Sequence, residues 1–203
     1  MITAAILYDQ VMCPHRPSMD LFANPMKRDK LSPFVKLLWD KGTAYDVEVI
    51  ASLDIPFLDL TPYSLEEKES KTLEAIEKKE PLIYRGRISA DDLLGEPDLL
   101  RFEEDGYVAG DIKSGAGEEG NADDPRPKKH YAVQLALYTD ILERKGLSRQ
   151  REPFVWDIHG DEVTYELDEL TGKRNPTTLW NIYQGTLDEA RRNISNPENS
   201  SPA

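Results

Sequence analysis

The chain reads as a mixed α/β protein (α/β or α+β) whose central mixed β-sheet is flanked by helices. Three observations lead there. Helix-like segments come first, then a meander of strand candidates, a helix, a hairpin and a last helix. Asp105-Gly106 between two strand candidates is a strong hairpin signal. His130 to Lys145 carries a sustained helical pattern that Gly146 ends.

The elements follow in order. Ala4 to Leu7 is a short apolar piece, and the prolines of Cys13-Pro14-His15-Arg16-Pro17 mark a loop or a helix start. Ser32-Pro33 opens a helix with Phe34, Leu37, Leu38 and Trp39 at helical spacing. Gly42 should interrupt it, with more helix from Ala44 to Ser52. Asp54 to Tyr63 holds two prolines and reads as a connecting loop. Ser64-Leu65-Glu66-Glu67 is a capping box for a helix ending near Lys79. Strands are expected at Leu82–Ile88, Pro97–Glu103 and Tyr107–Lys113. Ser114 to Lys129 is rich in Gly, Asp and Pro and reads as a mobile loop. A hairpin over Phe154–Leu167 and a helix over Pro176–Asn193 complete the pattern, and 196–203 is expected to be a disordered tail.

Composition bounds the function. The chain has 203 residues, with 25 Lys and Arg against 38 Asp and Glu, for a net charge of −13. Hydrophobic residues at 39% allow a packed core and exclude fully disordered and collagen-like classes. No run approaches the ~18 apolar residues of a membrane span. The first residues lack a secretory pattern, and a single Cys rules out an internal disulfide framework, so the cytoplasm is the expected compartment. The acidity argues against a binder that uses its whole surface for nucleic acid, but not against a nucleic-acid enzyme with a local basic strip.

The chemistry gathers at the strand meander. With Asp105-Gly106 as a two-residue turn, Asp98 would face Lys113 and Leu100 would face Asp111. Alternation then projects Asp98, Asp111 and Lys113 from one face. Two carboxylates so placed could share a hard cation such as Mg²⁺. The ammonium beside them could orient or deprotonate a water, or steady phosphate charge. As a strand-end charge, Lys113 should matter little to stability. His130, Gln134 and Tyr138 lie on one helical stripe. Gln134 and Tyr138 either form a solvated edge or face this site. Arg126, Lys128 and Lys129 form the densest basic run, suited to phosphates or simply to solvent.

Gly95-Glu96-Pro97-Asp98, Asp111-Ile112-Lys113-Ser114-Gly115 and Gln134-Leu135-Ala136-Leu137-Tyr138, in this order, resemble the motifs of the PD-(D/E)XK nuclease superfamily. The likeness is to its RecB-like branch, which includes CRISPR-associated RecB-type exonucleases. The branch's early motif is a Gly followed four residues later by His or an acid. Gly42 and Asp46 fit that spacing, with Glu48 as the substitute.

The resemblance implies a restriction-endonuclease-like core over residues 1–195. It implies a Mg²⁺- or Mn²⁺-dependent deoxyribonuclease, an exonuclease, in DNA repair, recombination or CRISPR-type processing. Asp98, Asp111, the Ile112 carbonyl and Asp46 or Glu48 would hold metal. Lys113 would position or activate water. Gln134 and Tyr138 would orient the strand, and Arg126, Lys128, Lys129 and His130 would meet DNA. The partners it implies are single-stranded DNA ends and a fused or associated helicase, with no membrane. A non-catalytic nucleic-acid-binding module of the same fold is the alternative. Many members also hold a [4Fe-4S] cluster with one N-terminal Cys. Cys13 stands there and cannot hold a cluster alone, so either the cluster has been lost or these residues are the N-terminal part of a longer protein.

Overall fold

The chain combines helices and strands, and the computed structural model describes them over residues 1–121, 124–172 and 175–195. In order they are β1 (Ile2–Thr3), α1 (Ala4–Met12), α2 (Arg16–Phe22), α3 (Pro33–Ala51), β2 (Leu58–Asp59), α4 (Leu65–Glu77), β3 (Leu82–Tyr84), β4 (Ile88–Ala90), β5 (Leu93–Gly95), β6 (Leu99–Glu103), β7 (Gly106–Ile112), β8 (Glu118–Asn121), β9 (Asp124–Pro127), α5 (Lys129–Arg144), β10 (Phe154–Trp156), β11 (Glu162–Thr164), β12 (Leu170–Thr171), β13 (Thr177–Thr178) and α6 (Leu179–Ser195). The expected tail at 196–203 lies outside the described residues. Among the described residues, no helix is long and apolar enough to cross a membrane.

The main sheet has six strands in the order β11-β10-β7-β6-β3-β2. It is mixed: β10 runs parallel to β7 and β2 to β3, and the other pairs are antiparallel. Period-2 alternation sorts its side chains into two cores. Leu100, Ala109 and Val155 join the layer built by α1, α5 and α6. Leu99, Val108, Ile112 and Phe154 pack on the other side with Ile50, Val49 and Tyr45 of α3. A smaller sheet, β1-β5-β4, meets α5. α5 therefore lies between the two sheets and α1, which explains its nearly unbroken burial.

Several local expectations change. The helix begun by Ser32 runs through Gly42, with Ser32 Oγ accepting from Val35 N–H at 3.2 Å. A lone helical glycine costs only about 1 kcal/mol. The loop over 54–63 contains β2, which adds to the sheet beside β3. The strand over 82–88 breaks at Arg85, whose φ of 59° turns the chain between β3 and β4. Within 114–129, β8 and β9 form an exposed antiparallel hairpin instead of a structureless loop.

The central hairpin is also reset. Glu103 pairs with Gly106, so Glu104 and Asp105 form the turn, with φ of 50° at Glu104. Gly106 serves a different purpose. Tyr107 N–H donates to Leu147 O at 2.8 Å, and a Cβ on Gly106 would lie 2.7 Å from Arg149 N. The glycine permits one backbone to approach another. Relative to expectation the pairing shifts by two residues, so Leu99 faces Gly110 and Asp98 stands opposite Asp111 rather than Lys113. A two-residue shift keeps every side chain on its face.

Candidate functional site

Asp98 and Asp111 meet where the β6–β7 ladder ends. Asp98 Oδ2 accepts from Ile112 N–H at 2.9 Å, and Asp111 Oδ1 accepts from Asp98 N–H at 3.4 Å. Each carboxylate is thus braced by the other strand's backbone. Their second oxygens hold cations. Lys113 Nζ lies 2.7 Å from Asp111 Oδ2, and Arg85 Nη1 lies 2.8 Å from Asp98 Oδ1. The other Arg85 amino group donates to Asp46 of α3. Side-chain exposures of 3% for Asp111, 11% for Asp98 and 13% for Asp46 make these largely desolvated acids. With all three acids ionised, Asp46, Asp98 and Asp111 against Arg85 and Lys113 leave one net negative charge.

Desolvation sets the proton affinities. Burial, reinforced by the Asp111 charge and opposed by Arg85 and Lys113, pushes the Asp98 carboxyl up to about 7. Burial also raises Asp46, with Arg85 opposing. For Lys113, burial favours the neutral amine, but Asp111 and Asp98 outweigh it and the ammonium is held above its usual range. Lys113 is therefore an ammonium that donates to Asp111 in this arrangement.

The Asp98 shift has a testable sign. Its folded-state pKa lies above its unfolded value near 3.8, so the folded state holds the proton more tightly. The stabilisation is fully present below about pH 4 and is lost as pH rises to about 7. Urea unfolding should show wild type losing stability relative to Asp98→Asn across that window, with a flat difference above it. A difference independent of pH would contradict the buried, charge-opposed carboxyl.

Gly95 and Tyr138 join the glycine motif to the α5 stripe. A Cβ on Gly95 would fall 2.7 Å from Tyr138 Cδ1, so only glycine lets the ring seat there. Burial, then the Asp111 and Asp98 charges, raise the Tyr138 hydroxyl's pKa and keep it protonated. Gln134 and Tyr138 line a cavity of about 260 Å³ with Thr3, Leu94 and Glu96. Among the described residues, Gln134 Oε1 is buried without a hydrogen-bond partner. Both side chains thus face inward rather than forming a solvated edge.

Other expected residues lie apart. Glu48 is exposed on α3 and joins no part of this cluster, because it sits about 200° from Asp46 around the helix. Asp46 reaches the site, but Arg85 engages its carboxylate. Ile112 contributes its amide to Asp98. Arg126 pairs with Asp124 on the exposed hairpin, and Lys128 Nζ donates to Ala116 O at 2.8 Å. Lys129 is exposed, while His130 packs edge-on against Tyr8 and Tyr131. Burial, then Lys128, lowers the His130 pKa. The basic run is in part committed to internal partners. Cys13 is an exposed free thiol at the end of α1.

Among the described residues, no three His, Cys, Asp or Glu side chains converge at metal-binding spacing. Mg²⁺ can be held by as few as one or two carboxylates, with water and phosphate completing its shell. Asp98 and Asp111 supply such a pair.

No protein-family model and no curated protein matches the chain.

Arg85 is the site residue that sequence reasoning missed. Its signal is the Arg85-Gly86 pair inside an apparent strand. A non-glycine residue at positive φ costs on the order of 1–3 kcal/mol and is held only where surroundings demand it. Here Arg85 N–H donates to Asp98 O at 2.8 Å, locking the turn beside the acid that its guanidinium contacts.

Proposed function

We propose that this chain is a metal-dependent nuclease of the PD-(D/E)XK kind that hydrolyses DNA phosphodiester bonds. The observation that carries the proposal is the facing pair Asp98 and Asp111 with Lys113 against Asp111 at one strand end. Asp98 and Asp111 would hold Mg²⁺ or Mn²⁺, which supplies charge neutralisation at the scissile phosphate. The Lys113 ammonium donates a hydrogen bond to charge developing on the phosphate. The Gln134 side chain offers a buried acceptor to an adjacent donor, and Tyr138 walls the site against Gly95. Cleavage of single- and double-stranded DNA with Mn²⁺, then with EDTA, is the test. Metal-dependent product supports the assignment, and none on either substrate overturns it.

A specific observation favours a second reading. The Arg85 guanidinium sits on the Asp98 oxygen that a cation would need. An arginine held there permanently would make the domain a nucleic-acid-binding module without catalysis.

Cation binding should be visible in stability. Two desolvated acids repel, so a bound cation stabilises the folded state by mass action. Mn²⁺ at tenfold above its dissociation constant should raise the melting temperature by about 3–5 °C. Asp111→Asn should abolish the rise. An equal shift in both proteins would place the ion elsewhere.

A further inference from the structure

We propose that the first half of α3 is a binding arm for single-stranded nucleic acid, with Trp39 stacking on an unpaired base beside the Asp98–Asp111 site. The inference rests on the nuclease reading for what happens to the strand afterwards, but not for the binding itself.

Helical geometry aligns the arm with the site. Trp39 and Asp46 are seven residues apart, which is about 20° short of two full turns and about 10 Å along the axis. They share one stripe. That stripe is oriented by Asp46, which is pinned to Arg85. Gly42 lies on the same side, and a Cβ there would stand 3.6 Å from Ser114 Oγ, next to Lys113. The helix therefore runs past the end of β7 and carries Trp39 beyond it. Tyr45 fixes the inner half by donating to the Asp157 carbonyl.

Trp39 is 60% exposed and Phe34 67%. An indole left in water, on the stripe that leads to two desolvated acids, has a flat face available for stacking. Lys36, one turn before it, shares its face, whereas Lys41 lies about 200° round the helix, and Lys27 and Lys30 precede the helix. Among the described residues, none of these four lysines forms an ion pair. Over residues 27–41 five Lys and Arg stand against Asp29 and Asp40, and in a chain of net charge −13 that local excess is complementary to a phosphate backbone. The basic run at 126–129 is in part committed internally, which leaves this segment as the freer cationic surface. Alternating aromatics and cations are what a single strand needs. Every unpaired base has a π-face, whereas duplex bases are already stacked.

The experiment measures binding of fluorescein-labelled dT12 in EDTA, where no metal-dependent cleavage occurs. Trp39→Ala should bind about tenfold more weakly, and Trp39→Phe should retain most of the affinity. Lys36→Gln should reduce the slope of log affinity against log salt by about 0.7. The intrinsic fluorescence quench by dT12 should disappear in Trp39→Phe. Since Trp39 is exposed, melting temperatures should match wild type. Wild-type affinity in Trp39→Ala would overturn the proposal, as would a duplex that competes as well as dT12. A wild-type dimer that Trp39→Ala dissociates, with no change in dT12 binding, would overturn it in favour of self-association. The two readings fail separately. Trp39-dependent binding without Mn²⁺ cleavage retains the arm and sinks the nuclease, and cleavage without Trp39 dependence does the reverse.

Discussion

Replacing Lys113 with methionine is expected to slow metal-dependent cleavage about 10²–10³-fold, the usual effect of removing one preorganised donor. Lys113 Nζ stands 2.7 Å from Asp111 and also feels Asp98, so its proton stays in place at neutral pH. The fold will register the change too. Asp111 is 3% exposed, and without the ammonium its remaining bond among the described residues is the 3.4 Å contact from Asp98 N–H. An orphaned buried charge costs about 3 kcal/mol, toward the low end because Lys113 is 20% exposed. The expectation that a strand-end lysine matters little to stability is therefore revised. Lys113→Arg separates the two effects. It keeps the charge and most of the stability, but a planar fork cannot place a single donor where the ammonium stood. Denaturant unfolding and single-turnover cleavage of both variants are the measurements. Wild-type cleavage by either variant would remove Lys113 from the chemistry.

Arg85→Gln is expected to tighten Mn²⁺ binding roughly tenfold while weakening the metal-free fold by about 1–2 kcal/mol. Both effects have one cause. Arg85 joins Asp46 to Asp98, and a third of its side chain is open to water, so each ion pair is worth about 0.5–1 kcal/mol. Removing the guanidinium frees an oxygen of Asp98 for the cation and leaves two acids unpaired. Titration calorimetry with Mn²⁺, and melting in EDTA, would read the two effects. Unchanged affinity with lowered stability would show that Arg85 is structural and does not compete with metal. Weakened affinity would show that Arg85 organises the acids for the ion. If the arginine holds Asp98 permanently, Arg85→Gln should also gain cleavage activity that wild type lacks.

Local chemistry made much of the frame legible. The Ser64 capping box, Ser32-Pro33 and Gly146 mark helix ends because caps depend on neighbouring backbone alone. The grouping of Asp98, Asp111 and Lys113 on one face survived a misread turn, because side-chain facing depends only on parity. Asp46, favoured over Glu48 by spacing, is the one of the two that enters the site.

Other features depended on parts of the chain distant in sequence. Gly106 looks like a turn glycine until Ser148 and Arg149 pass against it, and that approach moves the turn to Glu104-Asp105. Arg85 looks like a strand residue until its backbone reaches Asp98, and its partner Asp46 lies 39 residues away. β2 has almost no pattern of its own and exists because β3 offers it an edge. The sequence by itself determined which side chains alternate, where helices start and which acids share a face, since these follow from the periods of helix and strand. Only the tertiary structure decided the register, the arginine between the acids and the exposure of Trp39. Each of those requires two segments to compete for the same backbone group, charge or surface, and that competition exists only once the chain has folded.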